Sequence, residues 1–313
     1  MNNSALHNIE QIQNLLDGLK NQLQTPKVFN KPKDKALFSF EFFPTKTDDG
    51  QHKLLQTFDT LNSLNPQYFS VTYGAGGSTR ERTLKIVQTL SKKSTTPIVP
   101  HMSCIGDSKK EIGELLDYYK SLGVNRVVAL RGDLPSGQVG YGELPFALDL
   151  VKYIREHSGE RFTIKVAAYP EMHPQAKSFK DDIKNLAEKY HAGANEAITQ
   201  FFYNVDSYLF LRDELAKLGI HQENFPIIAG IMPITKASNL IRFADSAGAD
   251  IPRYIRKQLA DYGDDTKSIR QFGFETVIKL CEKLIAEDVP SLHFYSMNTV
   301  SPNKELVEAL GLN

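Results

Sequence analysis

The chain has 313 residues, 41% hydrophobic and 24% charged, a balance that fits a soluble globular protein of one large domain or two small ones. Lysine plus arginine equals aspartate plus glutamate at 37 each, and no long basic run occurs, so nothing favours a nucleic-acid partner. Two distant cysteines, Cys104 and Cys281, support neither a disulfide framework nor a cysteine zinc site. No continuous apolar stretch suits a secretion signal or a membrane span, so a soluble protein of the reducing cytoplasm is expected.

Residues 5–24 carry Leu6, Ile9, Ile12, Leu15, Leu16, Leu19 and Leu23 at the spacing of one helix face. Pro26 and the Lys31–Lys35 stretch end that pattern, so residues 1–35 are expected to form a helical extension and residues 36–313 the main domain. From there strand-like runs alternate with helical ones. Strands are expected at about 36–43, 67–73, 97–102, 125–131, 163–169, 196–202, 226–231 and 291–296. Between them lie amphipathic segments such as Glu111–Gly123 and Tyr208–Leu218, with Gly123, Gly193 and Gly219 placed to terminate helices. Repeated β-then-α units, over a length near the roughly 250 residues usual for such folds, predict an α/β protein with a (β/α)8 TIM barrel. A doubly wound open sheet is the alternative, but no strand is followed by the GxGxxG of a dinucleotide-binding turn. A barrel requires chemistry to collect where strands end. Polar or unusual residues do cluster there: Glu41, Thr72 with Tyr73, His101, Arg131 with Asp133, Tyr169 with His173, Gln200, and Met232 with Pro233.

In the first of these runs Glu41 sits among Phe38, Phe40, Phe42 and Phe43, closed by Pro44. An ionised carboxylate buried there costs several kcal/mol unless it is paired, exposed at a strand end or protonated. Burial that raised its pKa toward neutrality would suit a general acid, and a structural salt bridge at a barrel mouth fits the same residues equally well. The turn Gly74-Ala75-Gly76-Gly77 lets backbone approach a ligand, with Ser78 or Thr79 as a helix cap, although a plain βα turn reads the same way. It is no Walker loop, since GxxxxGK[ST] is absent. Arg131-Gly132-Asp133 sets a cation and an anion about a glycine at a strand end. A mutual salt bridge is the simpler reading, and a carboxylate over the barrel mouth, tuning a bound ring, is the functional one. Asp182, Asn185 and Lys189 share one face of one helix, fit for phosphate or ribose hydroxyls, or merely solvated. Gln200 can both donate and accept beside aromatics, as a pterin or flavin edge requires, and Phe243 is by default a core residue. His101 and His173 have neither an HExxH nor a spaced third ligand, so no metal site is expected.

Together the segments FSFEFFP, VTYGAGGSTRERT, PHMSC, ALRGDLP, AAYPEMHPQAKS, GANEAITQFFYNVDSY, GIMP and HFYSMN resemble, in order and near spacing, those of the single-domain bacterial 5,10-methylenetetrahydrofolate reductases. The likeness spans residues 36–300. It implies a (β/α)8 flavoprotein that holds FAD noncovalently, takes hydride from NADH or NADPH, and reduces methylenetetrahydrofolate to 5-methyltetrahydrofolate, the methyl donor of methionine synthesis. It also implies a ping-pong cycle in which nicotinamide and folate use one flavin face in turn. By this resemblance Glu41 is the general acid that protonates the leaving nitrogen of the five-membered ring. Asp133 is the aspartate near flavin and pterin, where negative charge favours a cationic iminium. Gln200, Asn239 and Phe243 match substrate contacts. The positions matching FAD contacts are Thr72, Tyr73, Ala75, His101, Arg131, Gly132, Asp133, Ala147, Tyr169, His173, Ala176, Asp182, Asn185 and Lys189, the last neutralising diphosphate charge.

Two departures stand out. An arginine that often follows the asparagine of the family's HFYTLNR signature is Thr299 here, with Lys304 the nearest substitute. The stretch between Asp133 and Ala147, around Gly140 and Phe146, is slightly longer than in the form compared. A related flavin barrel oxidising an amino acid such as proline would need an arginine pair on its last helix, which SPNKELVEALGLN lacks. A flavin- or folate-binding subunit without catalysis is the remaining alternative, opposed by the joint presence of Glu41, Asp133 and Gln200. Expected partners are small molecules and further copies of the chain.

Overall fold

A computed structural model describes residues 36–73, 77–133 and 142–313, with no side-chain detail at 77–79. The helical extension read at residues 1–35, the turn at Gly74 to Gly76 with Ala75, and Gly140 lie outside these described residues, as do the side chains of Ser78 and Thr79 on which the expected cap depends.

Eight strands alternate with helices in chain order: β1 (Leu37–Phe42), α1 (Asp48–Asn62), β2 (Phe69–Val71), α2 (Gly77–Lys93), β3 (Ile98–Ser103), α3 (Lys109–Ser121), β4 (Arg126–Leu130), α4 (Ala147–Ser158) and β5 (Thr163–Ala168). There follow α5 (Phe179–His191), β6 (Glu196–Thr199), α6 (Val205–Ala216), β7 (Ile227–Ile231), α7 (Ala237–Ala247), α8 (Arg253–Tyr262), α9 (Thr266–Ala286), β8 (Ser291–Tyr295) and α10 (Asn303–Ala309). All strand pairs are parallel, and the sheet closes in sequence order from β1 through β8, which settles the fold as a (β/α)8 barrel and excludes the open doubly wound sheet. Closure sets Glu41 between two neighbours, with Ser70 opposite it on β2 and Tyr295 on β8.

Local chemistry explains the ends of these elements. On α3, Ser108 and Glu111 form a reciprocal capping box, and the helix buries Ile112, Leu115, Leu116 and Tyr119 on one face. Gly123, Gly193 and Gly219 adopt positive φ of 78°, 107° and 77° just past their helices, as the termination pattern predicts. Strand ends are shorter than the apolar runs. β6 stops at Thr199 because the Gln200 side-chain oxygen accepts the Phe201 N–H at 3.1 Å, removing that donor from the ladder.

Two apolar clusters result. The larger fills the layer between sheet and helices, where Phe40 and Phe42 both stack on Phe69. The smaller contains Tyr68, Val99, Val128, Ile198 and Ile228, one from each of several strands or their approaches. Period-two alternation sends Phe38, Phe40 and Phe42 to one side of β1 and Ser39 and Glu41 to the other. The glutamate is thus not enclosed by phenylalanines, because three of the four belong to the opposite side and only Phe43, past the strand, joins it at the mouth.

Candidate active site

At the C-terminal ends of the strands a cavity of about 570 Å³ opens. Its apolar wall includes Val128, Leu130, Ala167, Ile198 and Met232, and its polar groups are few: Glu41, His101, Tyr169, Gln200, Ser246 and Tyr295. Phe43, Phe243 and Met297 complete the rim.

Glu41 is held by a cluster from four strands. Its Oε2 lies 3.1 Å from His101 Nε2, accepts a hydrogen bond from Ser70 Oγ at 3.1 Å, and is 3.6 Å from His293 Nε2. The His101 contact is an ion-pair approach off the N–H direction. His293 also meets Ser39 Oγ at 2.7 Å through Nδ1 and Ser70 Oγ at 3.2 Å through Nε2. One neutral tautomer satisfies every contact: Ser39 donates to Nδ1, Nε2–H donates to Ser70, and Ser70 donates to the carboxylate. Burial lowers the His293 pKa and keeps it in that neutral form. For Glu41, burial alone would raise the pKa, but the close approach of His101, joined by that of His293, outweighs it and holds the carboxyl well below the usual carboxylate range. The sequence expectation of a raised pKa is corrected: Glu41 is ionised in the ligand-free protein, because imidazoles rather than phenylalanines surround its oxygens.

Two close approaches shape the mouth. Gly132 has φ of 85°, and a Cβ there would lie 1.9 Å from Ser103 Oγ, so only glycine fits beside β3. At Gly230 a Cβ would lie 2.1 Å from Thr199 O and 2.8 Å from Tyr295 Oη, which leaves Tyr295 free to donate to Thr199 O at 2.6 Å.

A family model described as methylenetetrahydrofolate reductase matches residues 27–311. The chain belongs to the methylenetetrahydrofolate reductase family. It is 40% identical over 265 residues to the 5,10-methylenetetrahydrofolate reductase of Buchnera aphidicola subsp. Schizaphis graminum, covering 85% of this chain and 88% of the relative. With the Escherichia coli K12 enzyme of the same name it shares 38% over 274 residues, covering 88% of this chain and 90% of that one. Among solved structures, a Clostridium thermocellum protein described as binding two copies of 5-methyl-5,6,7,8-tetrahydrofolic acid superposes with a TM-score of 0.60 at 17% identity, covering 90% and 94% of the two chains. An oxaloacetate acetylhydrolase complex superposes at 0.53 and 9% identity, covering 90% of this chain and 82% of that one; at such identities both speak for the fold alone. The chain is accordingly an oxidoreductase of folate one-carbon metabolism with methylenetetrahydrofolate reductase activity.

Measured against the sequence reading of this reductase, Glu41, His101, Tyr169, Gln200 and Phe243 all line the cavity. The others surround it or stand apart. Arg131 does not pair with Asp133: it donates to Gln175 Oε1 at 2.7 Å and to Gly132 O at 3.2 Å, while Asp133 is exposed and near enough to Tyr169 and His173 to affect their titration. Asp182 accepts the His173 N–H at 2.8 Å, His173 packs edge-on against Tyr169 at 4.5 Å, and the His173 backbone oxygen accepts the Ala176 N–H at 2.9 Å. Lys189 donates to Ala167 O at 2.8 Å, and Asn185 is exposed on the same helix α5. Thr72 takes the Thr83 hydroxyl on its carbonyl, and Tyr73 donates to Asp107 at 3.3 Å. Ala147 opens α4, and Asn239 is half-buried on α7, with neither lining the cavity. Lys304 faces Glu308 at 3.7 Å. Sequence reasoning missed Ser39, Ser70, His293, Tyr295 and Met297. Strand parity was the available signal, since Ser39 shares the side of Glu41, and His293 interrupts the apolar neighbours Leu292 and Phe294.

Proposed function

We propose that the chain reduces 5,10-methylenetetrahydrofolate to 5-methyltetrahydrofolate with NADH or NADPH as donor and noncovalent FAD as cofactor, and that the product feeds methionine synthesis. The observation that carries this is Glu41, a carboxylate in a clustered contact with His101, Ser70 and His293 at the edge of an apolar cavity.

The residues present fit a flavin. The cavity has an apolar wall and sparse polar atoms suited to fused rings, Gly132 leaves no side chain at the β4 end, and Lys189 on α5 is a largely buried cation. Arg131, Gly132, His101, Tyr169, His173, Asp182, Asn185 and Lys189 would hold the group, with Thr72, Tyr73, Ala75, Ala147 and Ala176 around it. When bound, it accepts hydride from the nicotinamide and returns it to the folate.

Glu41 supplies the proton taken up by the leaving nitrogen of the five-membered ring as that C–N bond breaks. The carbon stays on the other nitrogen as a cationic iminium, which the negative charge of Asp133 favours. Because the carboxyl is held low before folate enters, it must take up a proton before it can give one, and His101 at 3.1 Å is its nearest neighbour among the imidazoles. Gln200 orients the pterin edge, Phe243 packs on whichever ring is present, and Asn239 lies on the same helix α7 as Phe243. One cavity for two ligands favours alternating, ping-pong use.

Anaerobic stopped-flow spectroscopy tests the reading. The purified protein should be yellow, bleach with NAD(P)H, and recover colour with methylenetetrahydrofolate. Glu41→Gln should keep flavin reduction and lose roughly 10²- to 10⁴-fold in the folate half-reaction. Equal loss in both halves would make Glu41 structural, and a folded protein that cannot be loaded with FAD would refute the flavin reading.

A further inference from the structure

Among the described residues, every hydrogen bond and ion pair of the Glu41 carboxylate falls on one oxygen. Ser70 Oγ donates to Oε2 at 3.1 Å, His101 Nε2 stands 3.1 Å from it and His293 Nε2 3.6 Å, while Oε1 is left to the cavity that Glu41 lines. Strand register brings these groups together: β1 runs between β2 and β8, with Ser70 opposite Glu41 and His293 opposite Ser39. A serine hydroxyl has one proton, so while Ser70 donates to Glu41 it accepts from His293 Nε2–H at 3.2 Å, and Ser39 then donates to Nδ1 at 2.7 Å. The imidazole thus fixes which way the Ser70 proton points. Its own ring is fixed in turn, stacked on Tyr68 and edge-on to Tyr295, each at 5.5 Å. Ser39, Ser70 and His293 are fully buried and none lines the cavity, so they act on a substrate only through Glu41.

We propose that the buried chain of Ser39, His293 and Ser70 is the positioning device of the folate half-reaction: it anchors Glu41 by Oε2, so that Oε1 carries and delivers the proton. This rests on the folate-reductase reading above and gives the three residues a task which that reading does not assign. Oε1 takes its proton from solvent in the open cavity. In the step itself the O–H bond at Oε1 breaks, and an N–H bond forms from the lone pair of the leaving nitrogen. The electron pair of the breaking C–N bond stays on that nitrogen, and the lone pair of the other nitrogen closes the iminium. Glu41 ends as a carboxylate. A hydrogen bond to the charged form favours it, so the Ser70 donor makes Glu41 the stronger acid at the moment of transfer. Pinning one oxygen also holds the other in one place, which is the orientation that proton delivery needs.

Anaerobic stopped-flow of the FAD-loaded enzyme tests this, following flavin reduction by NAD(P)H and reoxidation by methylenetetrahydrofolate across a pH series. Ser70→Ala, which removes one buried oxygen, and His293→Leu should slow reoxidation about tenfold relative to reduction. Both should move its alkaline limb up by roughly one pH unit, because a carboxyl without the donor is the weaker acid. The other titratable groups facing Glu41 and the imidazole are His101 on β3, Tyr68 before β2, Tyr295 on β8 and Lys165 on β5. They are the same in every variant, so a displacement between profiles reports the altered contact. His293→Gln, whose amide nitrogen can stand where Nε2 stands and donate to Ser70, should stay within about threefold of the wild type. His293→Asn, which extends only as far as Nδ1 and meets Ser39, should resemble His293→Leu. With Glu41→Gln in place, Ser70→Ala should cost nothing further. Ser291→Ala, on the same side of β8 but bonded to Gln67, should match the wild type. Equal rates for His293→Gln and His293→Asn, a wild-type profile in Ser70→Ala, or equal losses in both half-reactions would overturn the positioning role while the reductase reading stands. A wild-type enzyme whose reduced flavin is not reoxidised by methylenetetrahydrofolate would strike the reductase reading itself.

Discussion

Lys189 loses most of its water on α5, with Ala167 O as its acceptor and the Asp182 carboxylate nearby, and that burial pushes its ammonium down to about 8 despite the opposing pull of Asp182. An unfolded lysine titrates near 10.4. Between those two values the unfolded chain binds more protons than the folded one, so this group makes the ligand-free protein more stable as pH rises from about 8 to about 10. Binding a diphosphate has the opposite demand, since it needs the charged form. FAD affinity should therefore fall above pH 8, approaching tenfold per pH unit, while ligand-free stability climbs over the same interval. Fluorescence titration of FAD from pH 7 to 10, paired with urea unfolding of the ligand-free protein, checks both slopes. Lys189→Met should weaken FAD binding and flatten its pH dependence. An affinity that keeps its wild-type slope in that variant would remove Lys189 from the phosphate site.

The loop between β8 and α10 fixes the strand that carries Glu41. Asn298 accepts the Phe43 N–H at 3.0 Å and donates to Phe43 O at 2.8 Å, while Ser296 Oγ donates to Glu41 O. Met297 and Asn298 both take positive φ, 53° and 55°, a conformation that costs most residues about 1 kcal/mol and asparagine less. Asn298→Ala loses the clamp and adds the strain; Asn298→Gly loses only the clamp. Destabilisation of roughly 2 kcal/mol for alanine and about 1 less for glycine is expected, with a comparable slowing of folate reduction in both variants and flavin reduction largely kept. If glycine restored the folate rate as well as the stability, the clamp would have no part in placing Glu41. At this scale the sequence is legible in a particular way. Alternation of apolar runs reveals every strand, because hydrophobic period is a local property. The stopping point of β6 depends on the Gln200 side chain turning back on its own backbone, which no period reports. Parity along β1 already separated Glu41 from Phe40 and Phe42, yet the imidazoles that set its charge come from β3 and β8, and only barrel closure brings them together.

Closing the barrel also creates an interior too narrow for helices to cover, filled partly by the small apolar cluster around Val99, Val128 and Ile228 and partly by charge. Lys165 on β5 is 1% exposed, pairs with the Glu196 carboxylate on the adjacent β6, and lies 4.4 Å over the Tyr68 ring, which in turn stacks on His293 at 5.5 Å. Burial lowers the Lys165 pKa, with Glu196 opposing the shift, so the ammonium's charged form depends on its partner. A pair enclosed in this way contributes little net stability, but either half alone is an unmatched charge in a closed space. Lys165→Met should cost roughly 3–5 kcal/mol, whereas Lys165→Met combined with Glu196→Leu should recover most of that loss. Urea denaturation of the single and double variants gives the coupling directly. Additive losses would mean that water reaches Glu196 and that the ion pair is not sealed within the barrel. A coupling of several kcal/mol would mean that the closed sheet makes these two residues interdependent, under the ring of the tyrosine that supports His293 and through it the contacts of Glu41.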